Sequence, residues 1–166
     1  MADTYLSDRF IRNSWYVAAW DHEIGADALF ARTLLGQPLL FYRTADGGVT
    51  AMDDRCCHRA APLSRGRKEG DCVRCLYHGF KFDAQGACVE MPGQDRIPPM
   101  ARVQTYPVVE RDRFVWIWMG DPHAADAAAI PDFFWHDHPQ WRMKPGYIHY
   151  QAHYQLVVDN LLDFAH

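Results

Sequence analysis

The chain has 166 residues, enough for one or two small domains, with 49% hydrophobic and 23% charged residues and a formal charge of −4. This balance is that of an ordinary globular protein; it excludes a nucleic-acid binder built on a basic stripe or an Arg-rich tail, and no apolar run approaches the roughly 18 residues of a membrane span. Met1 to Arg9 carries acidic residues and no long apolar core, so a signal peptide is not expected and the cytoplasm is the expected compartment.

In chain order, the first 118 residues read as β-structure. Trp15 to Trp20 is an aromatic and β-branched run. Phe30 to Leu35 and Pro38 to Tyr42 are two more, joined at Gly36-Gln37. Asp46-Gly47-Gly48 is a turn signal before Val49 to Met52. Val73 to Cys75 and Phe80 to Phe82 are short, and Asp83 to Gly86 turns the chain again. Phe114 to Trp118 alternates little and reads as buried. Many short strands with Gly and Pro punctuation predict a mainly β fold, a small barrel or sandwich. Residues 120–146 contain Pro122, Pro131, Pro139 and Pro145 and read as a connector. From Tyr147 a strand is expected, with Tyr147, His149, Gln151 and His153 on one face. Leu156 to Val158 extend it, and a helix capped by Asp159 follows.

The five cysteines, Cys56, Cys57, Cys72, Cys75 and Cys88, are an odd count without an export signal, which argues against a disulfide framework. Cys56-Cys57-His58 and Cys75-Leu76-Tyr77-His78 form C-x-H and C-x-x-H with sixteen residues between them. Each arm supplies one thiolate and one imidazole. That mixture suits a Rieske-type [2Fe–2S] cluster, in which two Cys hold one iron and two His the other. Gly66, Gly70 and Gly79 would let the loops turn closely around it. A structural Cys2His2 zinc site uses the same residue types, but its usual spacing pairs like with like on each arm. Cys72-x-x-Cys75 matches a thioredoxin-type motif without the βαβ context that motif needs.

The run Asp54 to Gly66, then Cys75 to Asp83, resembles the Rieske non-haem iron aromatic-ring oxygenases. Within them it is most similar to the vanillate O-demethylase oxygenase branch, with Val89 to Gln94 and Phe114 to Gly120 adding support. Cys57 departs from that branch, which has Pro there; Cys72 and Cys88 read as packing residues. The resemblance implies Cys56, His58, Cys75 and His78 as cluster ligands. It also casts Asn160-x-x-Asp163-x-x-His166 as the start of a mononuclear iron motif, with spacings that place the three on one helical stripe. By resemblance His166 is the first His of a two-His, one-carboxylate site, and Asp163 bridges to a cluster His of the neighbouring subunit. The implied organisation is a Rieske domain at 8–119, a connector at 120–146, and at 147–166 the start of a truncated α+β catalytic domain. The second His and the carboxylate ligand do not follow, so an N-terminal fragment without activity of its own is expected.

The implied function is the oxygenase component of a monooxygenase for aromatic O-demethylation or hydroxylation. The implied partners are a reductase or ferredoxin as electron donor, dioxygen, an aromatic small molecule, and copies of itself in a homotrimer. Oxygen insertion into a methoxy C–H bond would release formaldehyde by way of a hemiacetal. The alternative is a Rieske ferredoxin, a carrier that needs neither the connector nor Asn160 to His166. A respiratory Rieske protein would carry an extra cysteine in each arm, where Ala61 and Tyr77 stand. Such high-potential proteins also place Ser and Tyr hydroxyls after the second arm. Phe80 and Phe82 occupy those places, which implies a low potential, roughly −150 mV. Among the other histidines, His136 and His138 read as solvated surface, and His149 and His153 as lining an interior or interface. Trp116 and Trp118 read as core.

Overall fold

A computed structural model of the chain describes residues 10–165. Eleven strands are present among them: β1 (Ser14–Trp20), β2 (Phe30–Leu34), β3 (Gln37–Arg43), β4 (Val49–Asp53), β5 (Arg67–Glu69), β6 (Cys72–Arg74), β7 (Lys81–Phe82), β8 (Cys88–Glu90), β9 (Thr105–Tyr106), β10 (Val108–Arg111) and β11 (Phe114–Met119). They form three antiparallel sheets, ordered β1-β11-β10, β2-β3-β4-β9 and β5-β6-β7-β8.

The second sheet is the middle layer. Side chains alternate across a strand, so β3 feeds two cores. Leu39 and Phe41 pack with Ala18, Ala19, Val115, Ile117 and Met119 of the first sheet. Leu40 and Tyr42 pack with Val73, Phe82, Cys56 and Cys75 on the side of the third. Burial on both faces explains why Leu39 to Tyr42 is an unbroken apolar run. The Tyr42 hydroxyl donates to the Asp71 carbonyl at 3.0 Å, which satisfies the one polar atom this run buries. In β1 the register shifts between Val17 and Ala19. That bulge turns both Ala18 and Ala19 inward, 0% and 1% exposed.

Residues 120–146 are bound to the first sheet rather than loosely strung. Three indole N–H groups donate to their backbone: Trp15 to Asp126 at 2.8 Å, Trp118 to Asp121 at 2.8 Å and Trp20 to Gly146 at 3.1 Å. A 3-10 turn at Phe134–His136 sets His136 against Phe114, 4.9 Å between ring centroids, with its Nδ1 2.9 Å from the Asp112 carbonyl oxygen. His136 is therefore a packing residue, not the solvated one its sequence suggested. Trp116 and Trp118 are buried as expected.

The expected strand from Tyr147 is not formed. Residues 147–153 have no regular structure, and helix α1 (Tyr154–Leu162) starts inside the supposed strand, with the His153 side chain accepting from the Gln155 N–H. A strand needs a neighbour to take its backbone hydrogen bonds, and none pairs with this segment among the described residues; a helix satisfies its own. His149 and His153 line no interior of the described residues; both are exposed. No helix of the described residues is long and apolar enough to cross a membrane.

Candidate metal centre

The two motif arms fold into loops with the same backbone. In the first, the Cys56 N–H donates to the Ala61 carbonyl at 2.9 Å and the Ala60 N–H donates to the Cys56 carbonyl at 2.9 Å. In the second, the Cys75 N–H donates to Phe80 at 2.8 Å and the Gly79 N–H to Cys75 at 3.1 Å. The fourth residue after each cysteine is left-handed, Ala60 at φ 56° and Gly79 at φ 77°. The loops thus match position for position, while the histidine stands two residues after the first cysteine and three after the second.

This arrangement sorts the four donors by type. Cys56 and Cys75 are each 3% exposed and belong to the core cluster between the second and third sheets. Burial pushes the Cys56 thiol up to about 12; the His58 backbone N–H opposes the shift and the neighbouring Cys75 thiol adds to it. Holding Cys56 as a thiolate therefore calls for a cation beside it. His58 and His78 are exposed, with ring centroids 4.6 Å apart. The donors come as two pairs, the buried thiols and the exposed imidazoles. One tetrahedral ion needs four donors on a single centre, whereas a [2Fe–2S] cluster needs two on each of two irons; the pairs fit the cluster.

Surrounding groups hold the loops. The Asp54 carboxylate accepts from the Ser64 N–H and hydroxyl, both at 2.6 Å, closing the chain beyond the first loop. Asp53 accepts from the Tyr106 hydroxyl at 2.6 Å and from Gln37 at 2.8 Å. In the second loop the Arg74 guanidinium donates to the Gly79 carbonyl at 2.8 Å, and to Glu69 and Glu90 at 2.7–2.8 Å. Hydrogen bonds from Arg74, then Arg67, hold the Glu69 carboxyl below its usual range, and Arg74 does the same for Glu90. Phe80 of the second loop stacks on His58 of the first, 4.8 Å between centroids and 6° between planes. A Cβ on Gly66 would lie 2.1 Å from the Arg74 carbonyl oxygen, so only glycine permits this approach of the two arms.

The remaining candidates separate from this group. Cys57 is exposed, Cys72 half-buried and Cys88 buried in the core. Asn160 and Asp163 do not share a helical stripe, because α1 ends at Leu162 and Asp163 follows it with extended backbone, ψ 100°. The Asp163 carboxylate accepts from the Ala165 N–H at 2.9 Å, which closes a turn there in place of another helical turn. His166 lies outside the described residues. Sequence reasoning missed Asp54 and Arg74. Both are charged residues beside the arms, and only the fold shows which backbone each one holds.

A family model described as the Rieske [2Fe-2S] domain matches residues 14–107. The iron–sulfur subunit of a toluene-4-sulfonate monooxygenase system from Comamonas testosteroni is 68% identical over 157 residues, 95% of this chain and 45% of that protein. The oxygenase component of dicamba O-demethylase from Stenotrophomonas maltophilia is 48% identical over 158 residues, 95% of this chain and 46% of that one. A crystal structure of dicamba monooxygenase bound to dicamba superposes with a TM-score of 0.88 at 46% identity, over 93% of this chain and 46% of that one. The chain thus spans about half the length of the curated relatives it matches.

Proposed function

Because the chain belongs to the Rieske [2Fe–2S] domain family, we propose that Cys56 and Cys75 hold one iron of its cluster and His58 and His78 the other, and that the whole protein is the oxygenase component of a Rieske non-haem iron monooxygenase. One observation carries the assignment: two matching loops pair the thiols in the core and the imidazoles at the surface. The cluster supplies one-electron storage at a potential raised by its neutral imidazoles. The chain's own residues do the rest. Core side chains keep water from Cys56 and Cys75, and the exposed His58 and His78 give an electron a short route in and out. The partner is a reductase or a ferredoxin, met in the cytoplasm.

Similarity to relatives named for toluene-4-sulfonate and dicamba supports an anionic aromatic compound as the substrate class. In a protein of the relatives' full length, His166 would be a ligand of a mononuclear iron, and Asp163 would link it to a neighbour's cluster histidine within a trimer. The ferredoxin alternative accounts for the cluster but not for residues 120–146, which in this chain are fastened to the first sheet by three indoles. The test is elemental analysis of protein made with iron and sulfide. About two irons and two sulfides per chain and a red-brown colour are expected; a colourless protein with one zinc per chain refutes the assignment.

A further inference from the structure

The second loop is braced by a charged group that the ligand assignment leaves unused. Arg74 directly precedes Cys75, and its guanidinium donates to the Gly79 carbonyl, one residue past His78. It is held by both oxygens of Glu69 and both of Glu90. Glu69 also meets Arg67 at 2.6 Å and Lys81 at 3.2 Å. The Arg74 side chain is 15% exposed and that of Glu90 51%. The first loop has cations of its own in the exposed Arg55, directly before Cys56, and Arg59, but the brace at its end is the Asp54 carboxylate. Two loops with one backbone pattern are therefore braced by side chains of opposite charge.

An electron added to a cluster makes it more negative, so a nearby positive charge favours the reduced form and a negative one opposes it. Arginine cannot shed its proton at any pH a protein survives, so the charge of Arg74 is fixed. The interaction is strongest where water is scarce, as at the base of the loop, and weaker at the half-exposed Glu90.

We propose that Arg74 is a positioning residue that sets the reduction potential of the cluster, its guanidinium anchoring the second loop through Gly79 and placing a fixed positive charge beside it, with Glu90 moderating that charge. This rests on the cluster reading above. The step concerned is the gain of one electron from an external reductant, with no bond made or broken.

The experiment is a dye-mediated reductive titration of the complete chain, followed by visible circular dichroism and electron paramagnetic resonance. The variants are Arg74→Gln, Arg74→Lys and Glu90→Gln. At a fixed poise near the parent midpoint, Arg74→Gln is expected to lower the ratio of reduced to oxidised cluster by roughly threefold to tenfold, where tenfold corresponds to about 59 mV for one electron. Glu90→Gln is expected to raise that ratio by about twofold to threefold, the smaller effect reflecting its exposure. Arg74→Lys, which keeps the charge but not the fork, is expected to stay near the parent. A merely structural brace would loosen in all three variants and shift them the same way. Shifts of one sign, or a Glu90→Gln ratio that does not rise, overturn the inference. Should Arg74→Gln fail to fold, the sign of the Glu90→Gln shift still decides. A parent protein without the cluster spectrum overturns the underlying reading instead, which is a distinct result.

Discussion

The two ligand loops share a hydrogen-bond pattern, a leading cysteine and a left-handed fourth residue, yet their side chains differ at the positions that could carry the imidazole. His58 of the first loop matches Tyr77 of the second, and His78 matches Arg59. Each loop therefore presents one thiol and one imidazole, but at different offsets. The lesson is that the backbone sets where four donors can stand, and a shift of one residue in the second arm decides which positions carry nitrogen. The left-handed residue also differs. Ala60 is exposed, whereas a Cβ on Gly79 would come within 2.9 Å of the Pro92 Cγ.

That contrast can be broken by substitution. Gly79→Ala combines a left-handed backbone with an overlap on Pro92, and is expected to cost about 1–3 kcal/mol and to impair cluster retention. Chemical denaturation and iron content check it; a variant as stable as the parent would mean the second loop has slack that the first lacks. The second contrast is polar. Neither Phe80, stacked on His58, nor the fully buried Phe82 can offer a hydroxyl to the cluster. The midpoint should therefore lie near the lower end of the Rieske range, roughly −150 mV, and a value above about +100 mV contradicts this.

A third effect is expected in acid. The carboxyls of Glu69 and Glu90 are held below their ordinary value by Arg74. Their folded-state values are depressed, so their contribution to stability is complete above the unfolded value of about 4.5 and fades as pH falls through the depressed folded values. Stability should drop below about pH 4.5, and the drop should shrink in Glu69→Gln; an unchanged acid limb in that variant speaks against the network. The smallest effect belongs to Ala60→Gly, which relieves left-handed strain but loosens the unfolded chain, and should alter stability by no more than about 0.5 kcal/mol.

Much of this was legible in the residues. Leu39 to Tyr42 and Phe114 to Trp118 carry apolar runs whose physics is local, and each sits where its pattern indicates. Strand β5, Arg67-Lys68-Glu69, was not legible, because an all-charged edge strand is fixed by its neighbour β6 and not by its own side chains. Residues 147–165 misled for a related reason. Alternation suggested a strand, but no partner strand meets it among the described residues, and the chain took the conformation that satisfies its own backbone. Leu156, Leu161, Leu162 and Phe164 of this region are exposed, so their pattern reports contacts made with nothing in the described residues. The docking of 120–146 was hidden because indole N–H groups bond to carbonyls far away in sequence, which no window of residues reveals.

The central claim is that His58 and His78 ligate one iron of a [2Fe–2S] cluster. The most direct test is pulsed electron paramagnetic resonance on the reduced protein labelled with nitrogen-15 histidine. The account predicts two distinct, strongly coupled histidine nitrogens, both coming from directly bound imidazoles, and loss of one in His58→Cys and of the other in His78→Cys. A paramagnetic cluster with no strongly coupled histidine nitrogen, or with couplings that neither substitution removes, would contradict it.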